Sequence, residues 1–380
     1  MNQEVVQTQK EDEAQAVTDL CSRLKKTPSS YSAILFFAST RYDFEKLSSL
    51  LHEQFPRAQV IGATTAGEIT KDGFTTNSIV LNAIYDNGKS QFSGVLIDGI
   101  DQFPILGNKE ITSAASKIGI SLSSENCSRD AFAITLICGL MSAEEIILSQ
   151  LYSLIKDQNF MIAGGSAGDD MKFASTAVSC NGVTSSNAAV VLFVKTSCAF
   201  RIYKENIFQR TGKNVKLTDV NTEKHIVNAI DGQNPRRRYA QVLGITEGQV
   251  NDALLDHPFG RVFGDEIFIA SLVSFDKDGK LTMYARVLQD SLQEILMPHD
   301  PVEMTESTCR KITSEIPRPG CIILFNCILR TVGFQKKGLT GKISEVWRRY
   351  LPTYSGFSTY GEQFGHMNSN QTLVTLVIGE

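Results

Sequence analysis

The sequence predicts an α/β or α+β fold, made of repeated β-α-β units with large mixed sheets and flanking helices, on three observations. First, an unbroken apolar run, an amphipathic helical stretch and a second short apolar run follow one another three times along the 380 residues. Second, each copy ends in a small, glycine-rich segment carrying a hydroxyl residue, a spacer, glycine and a carboxylate: GATTAGE at 62–68, AGGSAGD at 163–169 and GFSTYGE at 356–362. Third, the intervening stretches alternate apolar and polar residues around Asn-Gly or Asp-Gly, which signals antiparallel pairing and excludes an all-parallel sheet.

The first copy opens after a helix-spaced stretch at Val17 to Lys26, closed by Thr27-Pro28. AILFFAST (33–40) has the length and continuity of a buried strand. YDFEKLSSLLHEQF places Phe44, Leu47, Leu51 and Phe55 on one helical face, Pro56 stops it, and AQVIG leads as a second strand into a segment too rich in glycine to be strand itself. In the second copy AFAITLICGL (131–140) leads into SAEEIILSQLYSLI, with Glu144 and Glu145 suited to the first turn of a helix, and NFMIAGGSAGD supplies strand and segment. The third runs from CIILFNCILR (321–330) through GKISEVWRRYL to the last segment. Hairpins are expected around Asn87-Gly88 and Asp278-Gly279, and GVTSSNAAVVLFVKT reads as one more strand. Repetition on this scale is the mark of a duplicated architectural unit. A composition shift near residues 196–215 sets the expected domain boundary.

Composition narrows the function. A formal net charge of -4 and a pI near 5.8 give no broad basic field, so nucleic acid is not the expected partner. The N-terminal residues lack the charged start and apolar run of a signal peptide and no later stretch reaches membrane-span length, so no membrane insertion and a cytoplasmic location are expected. The eight cysteines form no CxxC pair and no zinc-spaced cluster, and read as free thiols.

Glycine after a strand allows positive φ and close backbone approach, and topology puts ligands at the carboxyl ends of such strands. None of the segments spells GxGxxG or GxxxxGK[ST], and GGSAGD is not the GxSxG elbow, which sets nucleotide-phosphate binding and serine hydrolysis aside. A binding module therefore fits better than an enzyme. The expectation is that the second and third segments at least face a shared ligand cleft.

VIGATTAGEI, MIAGGSAGDD, AIDGQNPRRRYAQVLG, DHPFG (256–260), FNCILR (325–330) and GFSTYGEQF followed by NQT carry a resemblance to the FIST proteins. The resemblance implies a FIST N-terminal domain at 31–215 and a FIST C-terminal domain at 216–380 behind an extension at 1–30. It further implies a sensory role in bacterial signalling. A free-standing chain of this layout is similar to the NosP-type nitric oxide sensors. That likeness implies non-covalent haem b, nitric oxide as the signal and a partner histidine kinase; there is no CxxCH for covalent haem. His257, held extended by Pro258 among Leu254, Leu255 and Phe259, is then the expected iron ligand, with His366 the runner-up. His52, His225 and His299 are left out. The alternative within the family is a small polar metabolite such as an amino acid, in a pocket lined by Thr65, Ser166, Asp169, Arg330, Thr359, Tyr360 and Glu362, with the Arg330 fork on a carboxylate. A cysteine-dependent enzyme using Cys327 is the third reading, and self-association as a homodimer stays open.

Overall fold

The computed structural model describes residues 1–100, 102, 107–264, 266–284 and 287–380. The mixed α/β class with large mixed sheets is as expected, and three six-stranded sheets carry it. Each repeat contributes a first strand, a helical connection, a parallel strand pair linked by one or two helices, a short hairpin and a last strand. In the first repeat these are Asn2–Thr8, Ala33–Ala38 with Gln59–Thr64, the hairpin Glu68–Thr70 with Gly73–Thr75, and Ile79–Tyr85. In the second they are Ser90–Asp98, Ala131–Cys138 with Ile162–Ala167, Val178–Cys180 with Val183–Ser185, and Ala188–Thr196. In the third they are Phe200–Asn206, Pro319–Cys327 with Ser355–Thr359, Glu362–Phe364 with Met367–Ser369, and Thr372–Gly379.

The repeats are not self-contained, because each gives its hairpin away. The first repeat's hairpin completes the third repeat's sheet, Glu68 lying opposite Phe357. The second repeat's hairpin completes the first sheet, Cys180 opposite Ile61. The third repeat's hairpin completes the second sheet, Glu362 opposite Gly165. The exchange runs in one direction around a pseudo-threefold arrangement. Inner faces of the sheets meet in a shared core in which Phe37 stacks on Phe357 at 4.6 Å and Phe325 meets Phe357 edge-on at 6.0 Å. Helices cover the outer faces: Glu13–Arg23 and Phe44–Gln54 on the first sheet, Pro301–Glu315 and Thr340–Tyr350 on the third.

The third repeat is interrupted between its first strand and the helix Pro301–Glu315. The intervening chain builds a seven-stranded sheet with its own apolar core, including Leu217, Ile230, Phe259 and Ile295, and with helix Pro235–Leu243 packed on it. It joins the rest through a neck of two short paired strands, Phe208–Gln209 and Met297–Pro298, and packs on the third repeat, Ile269 and Leu296 sharing an apolar cluster with Ile322 and Trp347.

Three local expectations are corrected. Ile79–Tyr85 and Ser90–Asp98 are strands around the left-handed Asn87 and Gly88, yet they are not a hairpin. Ile79–Tyr85 is already paired on both sides by Asn2–Thr8 and Ala33–Ala38, so the turn hands the chain to the second sheet. The glycine segments are partly strand: pairing runs through Thr64, Ala167 and Thr359, and the missing side chains at Gly62, Gly165 and Gly356 admit close neighbours. GVTSSNAAVVLFVKT supplies two strands, not one, Val183–Ser185 and Ala188–Thr196. The Asp278-Gly279 hairpin forms as expected between Leu272–Phe275 and Leu281–Met283; Ala285 and Arg286, on its expected far arm, lie outside the described residues.

The glycines fall into two kinds, which a pair of substitutions separates. A Cβ at Gly356 would sit 2.1 Å from the Leu324 carbonyl oxygen, a neighbouring strand that cannot give way. At Gly333, within the helix Ile328–Lys336, the nearest atom is Leu255 Cδ2 at 3.6 Å. Gly356→Ala is expected to cost about 3 kcal/mol in urea unfolding, whereas Gly333→Ala should be neutral or stabilising by about 0.5–1 kcal/mol.

Candidate functional site

The three glycine segments meet as corners at the carboxyl ends of the parallel pairs and lock backbone to backbone. Ala66 N–H donates to Ser358 O at 3.1 Å and Ser358 N–H returns to Gly67 O at 2.7 Å. Tyr360 N–H donates to Ser166 O at 3.0 Å and Ser166 N–H to Gly361 O at 2.8 Å, while Gly168 N–H reaches Thr64 O at 2.9 Å. Each repeat's corner thus clamps a neighbour's.

Two of the corners are chemical copies. The Thr65 hydroxyl donates to Glu68, whose other oxygen accepts from the Ser78 amide and hydroxyl. The Thr359 hydroxyl donates to Glu362 at 2.5 Å, and the other Glu362 oxygen accepts from the Thr372 amide at 3.2 Å and hydroxyl at 2.9 Å. All of these side chains are buried. Burial pushes both carboxyls up to about 8, against the hydroxyl and amide donors that hold them down. Cys327 is buried beside Glu362, and burial first, then that carboxylate, push its thiol well up. A nucleophilic thiolate needs the opposite environment.

The second corner departs from the pattern. Ser166 donates to Glu144 at 2.9 Å and accepts from Gln363 at 3.1 Å. Asp169 turns to the following loop, accepting the amides of Phe173, Ala174 and Ser175 at 2.5–3.0 Å together with the Tyr360 hydroxyl. Burial pushes Asp169 up, but these donors outweigh it and hold the carboxyl below its ordinary range. Asp170 grips Ser39 and Thr40 at 2.8–3.0 Å. The loop bends through positive φ at Asp170, Met171 and Phe173, unusual for residues with side chains, and stacks the exposed Phe173 ring on Tyr360 at 5.2 Å.

Arg330 sits elsewhere, and its fork is already engaged. One terminal nitrogen, Nη2, bonds Glu205, and Nε donates to Asn326 at 3.0 Å; the two paired side chains are 0% and 1% exposed. Glu205 also accepts from Thr305 at 3.0 Å. From Asn326 a hydrogen-bond chain runs to Thr331 at 2.9 Å and Ser358 at 2.8 Å, the residue clamped by the first corner. Nη1 of Arg330 is buried with no partner in the protein. The residue borders a narrow cavity of about 20 Å³ between the helix Ile328–Lys336 and the base of the insertion, walled by Ile207, Phe208, Leu255, Pro298, Leu329, Gly333 and Phe334. That is room for one water. Asp256 and Lys337 also border it and pair at 2.6 Å. Gln371 clips its two sides together, donating to Leu255 O at 2.9 Å and accepting from Ser271 at 2.8 Å.

The structure therefore joins Thr65 with Glu68, Thr359 with Glu362, and Asp169 with Tyr360, but separates Arg330 from them in its own cavity. Sequence reasoning missed Glu205, Asn326, Thr331, Gly333, Asp256 and Lys337. Only the four-residue spacing of Asn326 and Arg330 in FNCILR was a local signal.

Nδ1 of the half-buried His257 lies 3.0 Å from Leu296 O. The exposed His366 ring stacks on Tyr152 at 3.5 Å. Neither residue borders the narrow cavity beside Arg330, which has room for one water, or the open hollow lined by Ala14 and Ser22, so neither hollow presents a candidate iron ligand to a porphyrin in this conformation. Among the described residues no group of three metal-ligating side chains occurs, and no helix is long and apolar enough to cross a membrane.

The FIST N domain matches residues 32–233 and the FIST C domain matches residues 236–365, so the chain belongs to the FIST family, whose domains serve as sensors in signalling proteins. The junction between the two matched stretches falls inside the inserted sheet. No curated protein matches. Among solved structures, one described as "Cyanuric acid hydrolase: evolutionary innovation by structural concatenation" aligns with all of this chain and 99% of its own, at 10% identity and a TM-score of 0.34. A likeness at that level carries no argument about function.

Two outcomes follow from these geometries. Glu68 and Glu362 keep protons in the folded chain that the unfolded chain releases above its ordinary 4.5, so their contribution to stability is complete below about 4.5 and lost as pH rises to about 8. Melting temperature should fall over that window, and Glu68→Gln with Glu362→Gln should flatten the fall. Separately, Arg330→Met should cost about 3–5 kcal/mol in denaturant unfolding by stranding Glu205, and adding Glu205→Leu should recover most of it.

Proposed function

We propose that the chain senses a small polar metabolite in the cleft between the helix Ile328–Lys336 and the base of the insertion, with Arg330 as its polar anchor. The observation that carries this is Arg330 Nη1, a buried charged donor without a protein partner, bordering a cavity whose other polar lining residues, Asp256, Lys337 and Gln371, already have partners. A resident water is the simplest occupant at the present size. A metabolite needs the cleft wider, which means parting the Lys337–Asp256 pair and the Gln371 clip while the two-strand neck, whose Phe208 and Pro298 belong also to the cavity wall, stays as the joint. Hinges of this kind let a ligand shift a pre-existing equilibrium by its differential affinity for open and closed forms. The bonds from Arg330 through Asn326 and Thr331 to Ser358 give closure a route to the clamped corners.

Output then lies in contact with a signalling partner, a histidine kinase in this reading, within the cytoplasm. Reciprocity requires that partner binding change ligand affinity by the same factor. A haem-based nitric oxide sensor is the second reading. What favours it is the His257 Nδ1 contact with the Leu296 carbonyl, an orienting hydrogen bond of the kind that positions metal-ligating histidines.

A melting screen of amino acids and other small metabolites is expected to give stabilising hits, of about 2.7 kcal/mol at a hundredfold excess over Kd. Gly333→Leu, which adds bulk to the cavity wall facing Leu255, should abolish them. Hits that survive Gly333→Leu place binding elsewhere. Ferrous haem should give no Soret band that depends on His257 or His366; a nitric oxide-sensitive band lost in His257→Ala replaces the metabolite reading with the haem one.

A further inference from the structure

We infer that the ligand of this cleft meets Arg330 through an uncharged carbonyl, of the kind an amide, lactam or ureide presents, and not through a carboxylate; the inference rests on the ligand reading above. Three observations converge on it. The guanidinium has only one open nitrogen, because Nη2 is on Glu205 and Nε is on Asn326. A carboxylate laid across Nη1 and Nη2 would have to share Nη2 with Glu205 and sit beside that like charge.

The charge is also spent. Arg330 and Glu205 cancel one another with both side chains out of water, and at the mouth Lys337 is cancelled by Asp256. A carboxylate arriving at Nη1 would bring an unmatched negative charge into a site whose cation already has its anion, losing hydration with no new cation to replace it. A neutral carbonyl accepts from the orphaned N–H and adds no net charge, so it satisfies the donor without that penalty. The walls agree with this: Ile207, Phe208, Leu329 and Phe334 offer apolar surface to a compact, uncharged body.

The test uses matched pairs on the full chain at neutral pH: acetamide against acetate, butyramide against butyrate and benzamide against benzoate. Saturation-transfer NMR reports contact and titration of the melting temperature reports affinity. The expected result is that at least one amide binds about tenfold or more tightly than its acid, a difference of about 1.4 kcal/mol. Its signal should weaken in Gly333→Ala and vanish in Gly333→Leu. An acid that binds as tightly as its amide, or more so, overturns this inference and leaves the ligand reading standing. Amide binding that ignores both Gly333 variants also overturns it. If no member of the panel binds and the metabolite screen is equally silent, the cavity is an internal water site and both readings fall.

Discussion

Everything in this molecule depends on the exchange of hairpins among the three repeats. A four-stranded sheet from one repeat would expose the edge of its second parallel strand, and an open edge is a template for unwanted pairing. Here the edges at Gln59–Thr64, Ile162–Ala167 and Ser355–Thr359 are each closed by a hairpin from another repeat. The corners can then approach closely only because glycine stands where a side chain would collide: a Cβ at Gly168 would lie 2.8 Å from Ala66 N, and one at Gly165 would lie 2.4 Å from Thr359 Cγ2. The repeated hydroxyl-spacer-glycine-carboxylate pattern is thus first a solution to packing. The hydroxyl and carboxylate satisfy one another where backbone crowding leaves no room for water.

That division of labour explains why polar chemistry is found away from the corners. Thr65, Glu68, Thr359 and Glu362 have little capacity left to bind anything, since each already has its partners. The third repeat differs from the others by accepting a large insertion, and a cavity with an unsatisfied charged donor lies against that insertion. In the proposed reading, the threefold body gives one side of the cleft and the insertion of the modified repeat gives the other. Tyr360 and Asp169, by contrast, hold down the strained loop at Asp170–Phe173, which covers the second corner from outside.

Local order was legible in the sequence because it rests on periodicity. The runs at Ala33–Ala38, Ala131–Cys138 and Pro319–Cys327 are buried along their whole length, and such strands read as continuous apolar stretches. Pairing between repeats was not legible, since nothing in GATTAGE says that Glu68 will lie opposite Phe357. The Asn87-Gly88 turn shows the same limit: its residues specify left-handed backbone, not which sheet the next strand joins. Asn2–Thr8 was overlooked because NQEVVQT is an edge strand with a polar face. At the cleft, FNCILR singled out Arg330, but Glu205, which decides what the guanidinium can still bind, lies 125 residues away. Sequence patterns report a side chain's type, whereas its remaining valence for a ligand is set by neighbours that only the fold supplies.

The direction of the exchange also has a consequence during synthesis. Ile162–Ala167 leaves the ribosome long before Glu362–Phe364, the strand that closes its edge, and the gap is roughly 200 residues. At about 5–20 residues per second that edge waits roughly 10–40 s without its partner. The first sheet waits less, because its closing hairpin at Val178–Ser185 follows from the very next repeat. The nascent chain therefore holds an unfinished, glycine-rich strand in solution for most of its production, and in the cell the second sheet is the part that depends most on protection by chaperones before the C-terminal repeat arrives.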